Sequence, residues 1–198
     1  MRCELEGTMK IKDRIAESIA LKQEVLDNSL LIAEVEKAVN QIVKCLKNGF
    51  KILLCGNGGS AADAQHLACE LSGRFYMERK ALNAEALQMN TAFLTAVAND
   101  YSYSHVFVRA LEAKAVAGDL LWAFSTSGNS PNVVNAAKYA KTNNLHLITM
   151  TGKSGGELEP LSDISIHISN DDTARIQEVH MMLGHIICEE VEKAFLVT

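Results

Sequence analysis

Residues Lys51–Phe75 read KILLCGNGGSAADAQHLACELSGRF: a short apolar run, three glycines in four residues, then a helix-length stretch. A strand that runs through a glycine turn into a helix is the opening of a βαβ unit. Gly56, Gly58 and Gly59 let the backbone turn sharply and present bare N–H groups. The N-terminus of the helix that follows adds partial positive charge, so the turn is a candidate anion cradle. The plain alternative is a tight strand-to-helix turn with no ligand.

Downstream of this unit, short apolar runs keep alternating with helical stretches. Strands are expected at Lys51–Cys55, Ala84–Gln88, Asp119–Ser125, Leu145–Thr151 and Asp163–Ile168. Helices are expected at Ser60–Arg74, Thr91–Ala98, Ser104–Ala117, Pro131–Asn143 and Thr173–Phe195. Strands separated by helices pair in parallel through right-handed crossovers. The fold class is therefore α/β, a doubly wound five-stranded parallel sheet flanked by helices. Ligands of such sheets sit at the carboxyl ends of the strands, which selects the loops after Cys55, Ser125 and Thr151.

Upstream, two helices precede any strand. Val35, Val39, Ile42 and Leu46 recur at 4-3-4 spacing, and Ile11, Ile15 and Ile19 begin a similar stripe earlier. Ser29 is the candidate cap of the second helix and Asn48-Gly49 its end. Only two prolines occur, and there is no linker, long-period repeat or low-complexity tract. Residues 1–198 are expected to form one domain, with helices over about 10–50 and the α/β core over 51–198.

Composition narrows the function classes. With 48% hydrophobic and 22% charged residues, the chain is neither disordered nor a collagen-like repeat. Its net charge of −5, with no basic stripe, disfavours nucleic acid. Cys3, Cys45, Cys55, Cys69 and Cys188 are odd in number and match no CxxC pattern. The first residues carry no apolar signal region, and no apolar run reaches membrane length. A reducing cytoplasm, free thiols and no membrane association are expected.

Charge alone also disfavours a phosphorylated ligand, but the loops reverse that. Ser125-Thr126-Ser127-Gly128-Asn129-Ser130-Pro131 places four hydroxyls within six residues, just ahead of a helix. Ser130 suits the N-cap, with Pro131 at the first helical position. A cap does not explain Ser125, Thr126 and Ser127. Hydroxyls plus a helix N-terminus suit a phosphate monoester on a small molecule, and need no lysine or arginine. Gly56-x-Gly58-x-x-Ala61 also fits the loose dinucleotide fingerprint, but no acid ends the second strand to bind a ribose. A Lys-Ser/Thr pair after the glycines is absent as well, so this is not a P-loop.

Polar groups that could do chemistry lie on two helices. His66 and Glu70 share one helical face, a spacing that suits two ligands of one metal, an acid–base pair, or an ordinary surface pair. On the last helix His180 falls within the apolar stripe of Ile176, Val179, Leu183, Ile186 or Ile187, and Val191, as a core histidine would. His185 points elsewhere and is the better site candidate. Gly184 lies mid-helix, where glycine costs about 1 kcal/mol against alanine, so something must approach closely there.

Taken together these residues resemble the sugar isomerase (SIS) domain family, and within it the phosphoheptose isomerases. The likeness rests on CGNGGSAADAQHLACELSGRF at Cys55–Phe75, AND at Ala98–Asp100, STSGNS at Ser125–Ser130, MTGK at Met150–Lys153 and RIQEVHMMLGH at Arg175–His185. It covers nearly the whole chain from about Lys10. The resemblance implies a homotetramer with the N-terminal helices packed between subunits. It implies conversion of D-sedoheptulose 7-phosphate to D-glycero-D-manno-heptose 7-phosphate through a cis-enediol, the first step toward bacterial surface heptose of lipopolysaccharide or capsule.

The same resemblance implies zinc held at the positions of His66, Glu70, Gln177 and His185. Substrate contacts carry over to Asn57, Gly58, Gly59, Glu70, Asn99, Asp100, Ser125, Thr126, Ser127, Ser130 and Gln177. Glu70 is then the candidate base and His185 its proton-carrying partner. Because both also appear as ligands, the two roles compete, and exchange of a ligand during turnover is the hypothesis. Gln177 and His185 are eight residues apart, roughly 12 Å along a helix, so both side chains must lean together to share one ion.

A non-catalytic relative in the same family binds the bacterial replication initiator and shares the glycine and hydroxyl loops. Its pattern lacks an acid at the position of Glu70 and a histidine at that of His185, and both are present here. Ala174 and Cys69 depart from the isomerase pattern, which often carries acids there.

Overall fold

The structure is a computed structural model, and it describes residues 10–196. The N-terminal leader reading and Cys3 fall mostly or wholly outside those residues. Two helices come first, α1 (Ile11–Asp27) and α2 (Ser29–Lys47). Five strands follow: β1 (Ile52–Cys55), β2 (Ala84–Ala86), β3 (Leu120–Ser125), β4 (His146–Thr151) and β5 (Ile164–His167). Between and after them lie α3 (Gly59–Ser72), α4 (Thr91–Asp100), α5 (Val106–Lys114), α6 (Pro131–Thr142) and α7 (Thr173–Lys193). The strands form one all-parallel sheet in the order β2-β1-β3-β4-β5, as the α/β reading expects.

Alternate residues of each strand serve opposite faces. Ile52, Leu54, Leu120, Trp122 and Phe124 join α2, α3 and α7 in one core. Leu53, Cys55, Leu121 and Ala123 join α4, α5 and α6 in the other. Both faces are covered, as a parallel sheet requires. Parallel pairing also brings the ends of β1 and β3 to one edge, with Cys55 beside Ala123. The glycine and hydroxyl loops therefore leave the sheet as neighbours.

Several boundaries differ from expectation for local reasons. β2 stops at Ala86 because the chain turns there, the Met89 N–H reaching back to the Ala86 carbonyl at 3.2 Å, while Gln88 donates from Nε2 to the Ala61 carbonyl at 2.8 Å. The helix expected over Ser104–Ala117 opens as a 3-10 turn, Tyr103–His105, and ends at Lys114, before Gly118 turns with φ +97°. Residues Gly156–Leu161 form a further 3-10 turn that the sequence pattern did not suggest. Asn28, not Ser29, caps α2, accepting from the Leu31 N–H at 3.1 Å.

The two N-terminal helices behave differently. α2 buries Val35, Ala38 and Ile42 in the core. On α1 the buried residues are Leu21 and Val25, while Ile11, Ile15 and Ile19 are 55%, 55% and 62% exposed. Polar contacts tie α1 to α7: Arg175 donates to the Arg14 carbonyl at 3.0 Å, and Ser18 to Glu178 at 2.7 Å. Among the described residues Cys45, Cys55, Cys69 and Cys188 are unpaired, and no helix is long and apolar enough to cross a membrane.

Candidate active site

The glycine loop is shaped by close approaches. Gly58 sits at φ +55°, ψ −122°, outside what an L side chain adopts readily, and forms the cap position of α3. A Cβ on Gly59 would lie 2.5 Å from Nε2 of Gln177, so Gly59 is bare because Gln177 rests on it. The first N–H groups of a helix have no partner within it; in α3 the Ala61 N–H turns back to the Asn57 and Gly58 carbonyls at 3.2 and 3.1 Å. Asn57 pairs its side chain reciprocally with Asn132 of α6, at 2.8 Å in each direction.

In the hydroxyl loop, Ser130 stands at the N-cap of α6 with Pro131 at N1, but its hydroxyl does not cap the helix. It lies 2.9 Å from the Ser125 hydroxyl, which lies 3.5 Å from that of Ser127. Thr126 accepts from the Gly152 N–H through its carbonyl at 2.9 Å. Gly128, at φ +68°, packs so closely on Gly155 that a Cβ would come within 2.1 Å of its carbonyl oxygen. The loop after β4 thus braces the hydroxyl loop. His180 supports that brace: it is fully buried and Nε2 donates to the Thr151 carbonyl at 3.1 Å. Burial pushes its pKa down to about 4, which keeps the ring neutral.

A third group forms where α3 crosses α7. Nε2 of His66 is 2.9 Å from Nε2 of His185 and 3.1 Å from Oε1 of Glu70. One donor atom from each residue fits within a 4.8 Å cluster. The crossing has a steric cause: a Cβ on Gly184 would meet Leu67 at 2.6 Å. Glycine lets the helices close at this point, and His66 and His185, the sequence neighbours of Leu67 and Gly184, converge. Phe75 lies against the His185 ring, with centroids 5.9 Å apart. Two imidazoles and a carboxylate are a donor set suited to zinc.

Gln177 is not part of that hydrogen-bonded trio. Its Nε2 faces the Ser60 hydroxyl at 3.5 Å, beside the glycine loop. Asn99 and Asp100 end α4, exposed, with Asn99 donating to Asp100 at 2.9 Å. Cys69 is exposed on α3, and Ala174 lies in the first turn of α7, where Asp172 accepts its N–H at 2.9 Å.

Several contributing residues carry no local signal in the sequence. The Arg79 and Glu192 side chains are only 2% and 3% exposed, with Nε 3.1 Å from Oε1. Arg79 also donates to the Glu70 carbonyl at 2.8 Å. Glu192 accepts N–H bonds from Phe75, Tyr76 and Met77. Burial works to raise the Glu192 pKa, but those N–H groups and Arg79 outweigh it and hold the carboxyl below its ordinary value. The pair straps the end of α3 to α7, the two helices of the cluster. Asp63, half-buried one turn before His66, is raised to about 6 by burial, with His66 opposing.

Comparison with known proteins adds to this geometry. A family profile described as SIS domain matches residues 14–152. The phosphoheptose isomerase of Helicobacter pylori is 44% identical over 187 residues, covering 93% of this chain and 97% of that protein. The phosphoheptose isomerase of Clostridium acetobutylicum is 45% identical, with coverage of 92% and 93%. The solved structure of the phosphoheptose isomerase from Neisseria gonorrhoeae superposes with a TM-score of 0.87 at 41% identity, covering 93% of this chain and 97% of that one.

Proposed function

The chain belongs to the SIS-domain family and is a sugar-phosphate isomerase of its phosphoheptose isomerase branch, and on that premise we propose that it converts D-sedoheptulose 7-phosphate to D-glycero-D-manno-heptose 7-phosphate. The observation that carries this reading is the convergence of Glu70, His66 and His185 where α7 meets α3, the helix that begins at the glycine loop.

The ketose must lose a proton from C1 and regain one at C2, with a cis-enediol between. Glu70 takes the C1 proton and returns it to C2; its Oε1 faces His66, which leaves the second oxygen for the proton. His185 supplies a proton to O2 and receives one from O1. The phosphate is held by the N–H groups of Gly58 and Gly59 and by the hydroxyls of Ser125, Thr126, Ser127 and Ser130. Asn57, Asn99, Asp100 and Gln177 line the sugar. Phe75 packs on the His185 ring and steadies its orientation.

Zinc fits the donor set of His66, Glu70 and His185, with Gln177 as a further ligand if its side chain turns from Ser60. When bound it would polarise the substrate carbonyl as a Lewis acid. The exposed Ile11, Ile15 and Ile19 support a homotetramer that covers α1. The pathway is heptose biosynthesis for lipopolysaccharide or capsule, in the cytoplasm.

The test is incubation with D-sedoheptulose 7-phosphate before and after chelation. Aldose should appear, vanish with the chelator and return with zinc. No aldose from the zinc-loaded protein, together with binding to the replication initiator, would assign it to the non-catalytic branch.

A further inference from the structure

Asn57, Asn132 and Tyr103 form a closed set of hydrogen bonds across three separate elements. Asn57 sits in the glycine loop, Asn132 in the first turn of α6, and Tyr103 in the 3-10 turn that follows α4. The Tyr103 hydroxyl donates to Oδ1 of Asn57 at 3.0 Å, and the two asparagines are 75 residues apart. Asn132 is 2% exposed, so its amide must find partners inside the protein.

The direction of every bond in this set follows from one backbone group. The Val133 N–H can only donate, and it is shared between the Ser130 carbonyl and Oδ1 of Asn132, each at 3.0 Å, so the Asn132 atom that faces it is an acceptor. Asn132 therefore turns its NH₂ toward Asn57, which must answer with Oδ1. That oxygen also receives the Tyr103 proton, and an amide oxygen has two lone pairs. The Asn57 oxygen is then fully used. One hydrogen of its Nδ2 goes to Asn132, and one is left.

We infer that Tyr103 and Asn132 are positioning residues that turn the Asn57 side chain into a single-proton donor toward the glycine-loop ligand. Asn57 can bond an acceptor oxygen, such as phosphate or a carbonyl, and cannot accept from a sugar hydroxyl. The same bonds fix the spacing of the glycine loop, the end of α4 and the start of α6. Asn135 adds to this by donating to the Ser104 carbonyl at 3.1 Å, which holds the 3-10 turn on α6. The inference rests on the reading of the glycine loop as a phosphosugar site.

Tyr103→Phe tests it, because the ring is half-exposed and the substitution removes only the hydroxyl. With D-sedoheptulose 7-phosphate, KM should rise about three- to tenfold, kcat should stay within about twofold, and Tm should not move. In an Asn57→Ala background the same substitution should change nothing further. An unchanged KM overturns the inference. So does an equal KM rise in the Asn57→Ala background, since Tyr103 would then touch the ligand itself. A ligand-free readout separates this from the isomerase reading: the Asn57 side-chain amide resonance of ¹⁵N-labelled protein should shift in Tyr103→Phe, and an unmoved resonance overturns the inference. If the wild type fails to turn over substrate, the functional reading falls, and the resonance still decides the positioning role.

Discussion

The two halves of the candidate site are built from opposite materials. Where α3 crosses α7, side chains that titrate or ligate meet: His66, Glu70 and His185, strapped by the buried Arg79–Glu192 pair. Along the hydroxyl loop, the groups facing one another are neutral: Ser125, Ser127 and Ser130, braced by backbone contacts through Gly128 and Gly152. Even the imidazole behind that loop, His180, is kept neutral. Under the proposed function, the difference is a division of labour. Proton transfer needs groups whose charge can change, whereas holding a phosphate needs donors fixed in place and no change of charge.

The largest effect that would break this contrast is at the cluster. Glu70→Gln keeps the shape and removes the proposed base, so kcat should fall about 10²- to 10⁴-fold in a direct aldose assay. Activity that survives unchanged would take Glu70 out of the chemistry. Next, Arg79→Met leaves Glu192 buried without its cation. Urea unfolding should show about 3–5 kcal/mol less stability, as when one partner of a buried pair is removed. A change under about 1 kcal/mol would mean that the strap is carried by the backbone N–H groups alone.

The neutral half makes smaller, separable predictions. His180 has a folded pKa of about 4 against an ordinary 6.5, so the unfolded chain binds the extra proton first as pH falls. Its contribution to stability is complete above about pH 6.5 and is lost as pH drops toward 4, to a limit of about 3 kcal/mol. His180→Gln should flatten the pH dependence of unfolding in that window; an unflattened curve would place the acid sensitivity elsewhere. Smallest is Ser130→Ala, which should raise KM about three- to tenfold with little change in kcat. Added salt should move the wild-type KM by less than about twofold, and a steep dependence would reveal a basic residue carrying the phosphate.

Much of the site was legible because its signals are local. Gly58 needs positive φ, and His66 and Glu70 share a face by helical spacing alone. Even the cost of glycine at 184 announced a close approach, which Leu67 makes. The two apolar stripes were legible only in part: their spacing looks alike, yet α2 is buried by its own chain and Ile11, Ile15 and Ile19 of α1 are not. Ser130 reads as a cap and instead pairs with Ser125, because a hydroxyl beside other hydroxyls has alternatives to the backbone.

By itself, the sequence determined the alternation of strand and helix, the parallel sheet and the two loops at its carboxyl edge. These depend on periodicity and turn chemistry, which a few adjacent residues encode. Only the tertiary structure decided that His185 meets His66 across 119 residues, that Gln177 leans on Gly59, that Arg79 finds Glu192, and that Tyr103 and Asn132 take up the Asn57 amide. Such meetings depend on where whole helices cross. That crossing is set by how closely packed side chains let backbones approach, and no local pattern records it.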